Sequence, residues 1–161
     1  MTLTLRPMLP EDRGELERLL SRIEVFTWED QLIALELIDH SILNPGQKDY
    51  DFILALDGSE QVIGYACFGP TPLTDRTFDL YWIAVDPDYA GHGVGKVLLK
   101  KVEEEIAAQN GRMIVIETSS ASEYLPTRGF YLKNQYLLAE TIKDFFRAGE
   151  DRVTYVKTLG Q

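Results

Sequence analysis

Gly91, Gly93 and Gly95 recur at every second position between a strand-like run and a helix-like run, and no other feature of the chain restricts its fold as much. The stretch reads Val85-Asp86-Pro87-Asp88-Tyr89-Ala90-Gly91-His92-Gly93-Val94-Gly95-Lys96. Thr77 to Val85 is a long strand-like run that Asp86-Pro87 stops. From Val94 a helical pattern continues to Gln109, with Val94, Val97, Leu98, Val102 and Ile106 inward and Asn110-Gly111 closing it. The next strand is predicted over Arg112–Thr118, and its Met113–Ile116 run reads as buried on both faces. The unit from Thr77 to Thr118 should therefore be a right-handed parallel crossover. Glycines take positive φ and let a backbone approach a ligand closely. A helix N-terminus offers free N–H groups and the positive end of a dipole. The loop is thus an anion site, or else a turn that only packs helix on strand. Two familiar phosphate motifs fail on spacing. A dinucleotide fingerprint needs Gly-x-Gly-x-x-Gly, and a P-loop needs four residues before Gly-Lys-Ser/Thr.

The rest of the chain reads as short alternating elements without repeat or linker. Thr2–Arg6 alternates polar and apolar, as a half-buried strand does. Leu16, Leu19, Leu20 and Ile23 form the stripe of an amphipathic helix. Thr27 with Asp30 resembles a capping box opening a second helix that carries Leu32, Leu35 and Ile38. Asp51–Leu56 and Gln61–Phe68 flank Asp57-Gly58-Ser59-Glu60 as a hairpin. Pro126 opens a short helix ending near Asn134, and two last strands are predicted over Tyr136–Phe146 and Arg152–Leu159. The order β-α-α-β-β-β-α-β-α-β-β makes a mixed α/β chain with a largely antiparallel sheet and flanking helices, expected as a single domain over residues 1–161.

Composition narrows the function. With 161 residues and 45% apolar content the chain can bury a core without staples. A net charge of −10 argues against nucleic acid and against anionic membrane surfaces as partners, without excluding one local anion site. The single cysteine, Cys67, forms no internal disulfide and is expected in the core. No Cys cluster is present, and His40 and His92 are too few for a His-rich site, so no metal is expected. No apolar run approaches the ~18 residues of a membrane span, and the N-terminus lacks a signal-peptide core, so a soluble cytoplasmic protein is expected.

The glycine loop resembles the acetyl-CoA site of the GNAT acetyltransferase superfamily, which reads Gln/Arg-x-x-Gly-x-Gly/Ala after a strand ending in Val-x-Pro. Val85-Asp86-Pro87 and Gly93-Val94-Gly95 match, while Ala90 stands where the family has Gln or Arg. The element order resembles the family's fold over essentially the whole chain. The resemblance implies a splayed central parallel strand pair, Thr77–Val85 with Arg112–Thr118, that takes the pantetheine arm of acetyl-CoA. It implies that main-chain groups of Ile83, Ala84 and Val85 pair with that arm, as an extended amide chain can mimic a strand. It also implies that backbone amides of Gly91, His92, Gly93, Val94, Gly95 and Lys96 hold the pyrophosphate. Lys96 adds charge there or is a solvated helix residue.

Acetyl transfer from a thioester to an amine needs a neutral amine, a stabilised oxyanion and a proton for the leaving thiolate. No nucleophile with a partnering base is evident, which favours direct transfer. A second family landmark, Phe-Tyr-x-x-x-Gly-Phe/Tyr, is similar to Phe130-Tyr131-Leu132-Lys133-Asn134-Gln135-Tyr136. The resemblance puts Tyr131 where relatives protonate the thiolate. Gln135 replaces the usual glycine, so either it or Asn134 takes the left-handed helix cap. Glu117, near the end of its strand, is the first candidate for general base, on the expectation that apolar surroundings raise its pKa. Its other reading is a structural carboxylate bonded to hydroxyls or arginines. Asp79, Tyr81 and Tyr124 also stand near the expected site. Phe26 and Trp28, between the first two helices, and Tyr81 are candidate substrate contacts, aromatics suited to a cationic amine. Phe26 and Trp28 serve equally as a staple beside a helix cap.

The resulting expectation is an acetyl-CoA-dependent N-acetyltransferase acting on a small-molecule amine. A protein or peptide acceptor, or a non-catalytic acyl-CoA-binding module, are the alternatives. A homodimer is one assembly open to it.

Overall fold

The computed structural model describes residues 2–160 and falls into two compact units. The first runs up to Gly69 and takes in Trp82–Glu105; the second comprises Pro70–Tyr81 and the chain from Ile106 onward. The strands follow the order β1-β2-β3-β4-β5-β7-β6.

The first unit holds β1 (Thr4–Pro7), α1 (Arg13–Ser21), α2 (Trp28–Leu43), β2 (Asp51–Leu56) and β3 (Val62–Pro70, with its last residue passing on). β1 pairs antiparallel with β2, and β2 with β3, as the hairpin reading required. Arg6 donates to both oxygens of the buried Asp12 carboxylate at 2.8 and 2.9 Å, and the Leu9 N–H donates to it at 2.7 Å. That carboxylate fixes the turn from β1 into α1. Leu16, Leu19 and Leu20 are fully buried, but α1 ends at Ser21, so Ile23 lies outside the helix. The capping box at α2 forms: Asp30 N–H donates to Thr27 Oγ1 at 3.1 Å, and Thr27 N–H donates to Asp30 Oδ2 at 2.9 Å. Ala34 and Ile38 are buried in α2, Ile38 as expected, while Leu35 is half-buried and Leu32 and Ile33 are exposed, so the expected Leu32–Leu35–Ile38 stripe is corrected at Leu32.

β4 (Thr77–Val85) begins in the second unit and ends in the first. α3 (Val94–Ala108) follows the glycine loop. Gly64 lets α3 seat closely: a Cβ there would lie 3.0 Å from Ala84 O and 3.2 Å from both Leu98 Cδ1 and Val94 Cγ1. Val94, Leu98, Leu99, Val102 and Ile106 are buried and Val97 is exposed, against the inward position expected for it. At ~100° per residue Val97 falls roughly 130° from the centre of that buried arc.

The second unit holds the first half of β4, β5 (Met113–Ser119), α4 (Leu125–Lys133), β6 (Leu137–Arg147) and β7 (Glu150–Thr158). β4 and β5 run parallel, with Thr77, Phe78 and Asp79 opposite Met113, Ile114 and Val115. β7 is antiparallel to both β5 and β6. The fold is therefore mixed α/β, largely antiparallel with one parallel pair. β5 alternates rather than burying both faces: Ile114 and Ile116 are buried, Met113 and Val115 half-buried. Among the described residues no helix is long and apolar enough to cross a membrane.

Candidate active site

The loop after β4 is held from both ends. Asp86 is buried, its N–H donates to Ile63 O at 2.8 Å, and its carboxylate accepts from the Asp88 N–H at 3.0 Å. Arg22 donates to it at 3.0 Å and Arg18 Nη1 lies 3.6 Å away, so one residue in the last turn of α1 and the capping residue just after it grip one carboxylate. Burial pushes the Asp86 pKa up, but the Asp88 N–H and the two guanidiniums outweigh it and hold the group below the usual carboxylate range. Farther on, Tyr89 donates its hydroxyl to Asp57 Oδ2 at 2.7 Å, tying the loop to the β2–β3 turn. Sequence reasoning missed these anchors; the one local signal was the Arg18/Arg22 spacing.

Gly91 and Gly93 take φ of +78° and +81°, which side-chain-bearing residues rarely adopt. A Cβ on either would meet no atom within 4 Å, so the loop face at both is open. The Val97 N–H donates to Gly93 O at 3.1 Å, closing the first helical turn. The N–H groups of Val94, Gly95 and Lys96 precede that bond and have no acceptor within the helix. Open glycine backbone beside free donors at a helix start fits a phosphate group. Lys96 and His92 are exposed, and His92 Nδ1 lies 3.1 Å from Ala90 O. Upstream, Ala84 is buried, and Ile83 and Val85 are half-buried at the end of β4.

In the second unit, α4 ends in a cap that fixes Tyr131. Tyr136 N–H donates to Tyr131 O at 3.0 Å and Gln135 N–H to Leu132 O at 3.1 Å. Gln135 has φ +71° while Asn134 stays at −97°, so Gln135 takes the left-handed position and the reading of Asn134 there is corrected. This is the bonding of a Schellman cap, completed by contact between the Tyr131 and Tyr136 rings, 5.9 Å apart. Arg128, from the same helix, donates to Ser119 O and Ala121 O at 2.8 Å each and ties α4 to the end of β5. Tyr131 is buried and its ring lies 6.3 Å from that of Tyr155. Burial pushes its phenol pKa up.

Glu117 stands elsewhere. It pairs across the ladder with Thr154, whereas Tyr155, beside Tyr131, pairs with Ile116. Side chains alternate along a strand, so Glu117 and Tyr131 occupy opposite faces of the β5–β7 layer. The expected apolar surroundings of Glu117 are corrected too: its side chain is 53% exposed, and Arg152 Nη1 lies 3.8 Å from Oε1. Asp79 accepts from Thr71 Oγ1 at 2.8 Å. Tyr81 and Tyr124 are half-buried. Phe26 packs edge-on against Trp82 at 6.4 Å, and Trp28 is exposed at the first position of α2 beside the Thr27 cap. Cys67 is fully buried, and burial raises its thiol pKa.

The family model for the acetyltransferase (GNAT) family matches residues 14–136. The chain is similar to a GNAT-family protein of known crystal structure from Desulfovibrio desulfuricans, at 35% identity over 99% of this chain and 100% of that one, TM-score 0.95. It shares the fold of the PaiA N-acetyltransferase from Thermoplasma acidophilum, crystallised with coenzyme A, at 17% identity, 99% and 100% coverage and TM-score 0.78. The ribosomal-protein-S18-alanine N-acetyltransferase of Escherichia coli is similar at 17% identity, 99% and 96% coverage and TM-score 0.78. No curated protein matches the chain. The glycine loop on β4 and α3, the parallel β4–β5 pair and the family match agree: the chain belongs to the GNAT family of acetyl-CoA-dependent acetyltransferases.

Proposed function

We propose that the protein transfers the acetyl group of acetyl-CoA directly to a primary amine of a small molecule. The observation that carries the reading is the Tyr131 phenol, buried and oriented by a helix cap. Acetyl-CoA, when bound, supplies the activated thioester. The backbone N–H groups from Gly91 to Lys96 bind the pyrophosphate, and the open glycine face admits it. Main-chain groups of Ile83, Ala84 and Val85 take the pantetheine amides. Tyr131 Oη keeps its proton through neutral pH, because burial disfavours the phenolate, and gives it to the leaving sulfur. Glu117 lies on the other face of the β5–β7 layer from Tyr131, so the acceptor's proton passes to solvent and not to its carboxylate. Phe26, Trp28 and Tyr81 are the proposed contacts for the acceptor's body.

The test is release of free thiol from acetyl-CoA across a panel of small amines, with peptides carrying free N-termini alongside. Turnover with a small amine is expected. Turnover with peptides alone would move the acceptor to the protein class, and binding of coenzyme A without turnover on any amine would make the chain a binding module.

A further inference from the structure

We propose that β6 is a dimer interface: two copies of the chain pair their β6 strands antiparallel about a two-fold axis at Thr141. β6 is the outer strand of the second unit's sheet and is bonded to β7 on one side, so its other edge presents unpaired N–H and C=O groups. The other edge strand, β1, is four residues long and stops at Pro7, which guards it. β6 runs for eleven residues, contains no proline and is exposed throughout. Its sequence is that of an inner strand, with apolar side chains on both faces. Leu137 and Ile142 stand opposite Val156 and Arg152, and Leu138 stands on the other face, opposite Tyr155. Phe145 and Phe146 pack edge to face, 5.0 Å apart, and the Phe145 ring lies 4.6 Å from the Arg152 guanidinium. Asp144 N–H donates to Asp151 Oδ1 at 2.9 Å, and Asp144 Oδ1 accepts from Gly149 N–H at 2.8 Å. The hairpin end that carries both rings is therefore fixed before any partner arrives.

Area and charge single out a second copy as the occupant. Leu137, Leu138, Ile142, Phe145 and Phe146 are each at least 36% exposed. At about 200 Å² for a large side chain, half of it open on average, they offer roughly 500 Å² per copy. A symmetric pair doubles that to about 1,000 Å², the lower bound of a specific interface, before backbone and polar side chains count. The chain carries a net charge of −10, which sets one copy against another over most of its surface. β6 is neutral, because Lys143 and Arg147 balance Glu140 and Asp144. Antiparallel pairing of identical strands about a two-fold axis sets one residue opposite itself. With Thr141 on the axis, Leu137 meets Phe145, Glu140 meets Ile142, and no charge directly faces a like charge. On Glu140 or Lys143 the axis would set a charge against itself, and on Ile142 it would set Glu140 against Asp144.

Sedimentation velocity of the full chain is the test. At ~50 μM the wild type should run at twice the monomer mass, with a Kd in the micromolar range or below. Thr141→Lys sets two ammonium groups face to face on the axis and should raise that Kd at least about tenfold, with the circular dichroism of a folded chain. Thr141→Cys should give a disulfide-linked dimer on mild oxidation, faster than Ser59→Cys in the exposed β2–β3 turn. The native Cys67 is fully buried and takes no part. A wild-type chain that stays monomeric overturns the inference and leaves the edge to a different partner. A dimer that folded Thr141→Lys leaves intact overturns it as well. If Thr141→Lys does not fold, the oxidation decides, and linkage of Thr141→Cys no faster than that of Ser59→Cys overturns the inference.

Discussion

Replacing Gln135 by glycine should stabilise the protein. Gln135 is the C′ residue of the cap on α4, at φ +71°, and its side chain is exposed, so truncation loses no packing. A side-chain-bearing residue in that conformation costs about 1–2 kcal/mol. Glycine gives back roughly 0.5–1 kcal/mol through the greater freedom of its unfolded chain. The net gain is about 0.5–1 kcal/mol, which for a chain of this length raises Tm by roughly 1–4 °C. Thermal unfolding by circular dichroism measures it. Asn134→Gly is the matched control. Asn134 already has an ordinary φ of −97°, and its Nδ2 donates to Phe130 O at 2.8 Å, so glycine there should lower Tm. The reasoning is refuted if Gln135→Gly lowers Tm, or if both variants shift it equally.

Two further outcomes follow from the first unit. Gly93→Ala forces a Cβ onto φ +81° and places it on the open face of the loop, so coenzyme A affinity by calorimetry should fall about tenfold; unchanged affinity would remove the loop from phosphate binding. Asp12, held below the usual carboxylate range mainly by its hydrogen bond from Arg6, stabilises the fold above the unfolded pKa, about 3.9, and loses that contribution as pH falls through its depressed folded value. Asp12→Asn should therefore cost about 1–3 kcal/mol in urea unfolding at pH 7 and converge with the wild type in strong acid; a constant difference across pH would contradict the assignment.

The sequence was most legible where punctuation is local. Asp86-Pro87 and the alternate glycines set the end of β4 at Val85 and the start of α3 at Val94, because these residues restrict φ without help from the rest of the chain. Thr27 and Asp30 announced the α2 cap for the same reason. Facing was less legible. Val97 and Leu32 are apolar residues at plausible helical spacing, yet both are exposed, since a stripe is chosen by what packs against it. Glu117 could be placed on its strand, but its neighbours could not. Thr154 and Arg152 lie more than thirty residues along the chain, and only strand register brings them alongside. The cap at Gln135 was half legible: the tyrosine landmark located the turn, and only the dihedrals distinguished Gln135 from Asn134.

The central claim is that Tyr131 supplies the proton to the leaving thiolate. Tyr131→Phe removes one oxygen from a buried ring and keeps its contacts with Tyr136 and Tyr155. With an accepted amine and acetyl-CoA, steady-state turnover of the variant should fall about 10²–10⁴-fold, while its affinity for coenzyme A stays within about twofold of the wild type. Undiminished turnover in the folded variant would contradict the account.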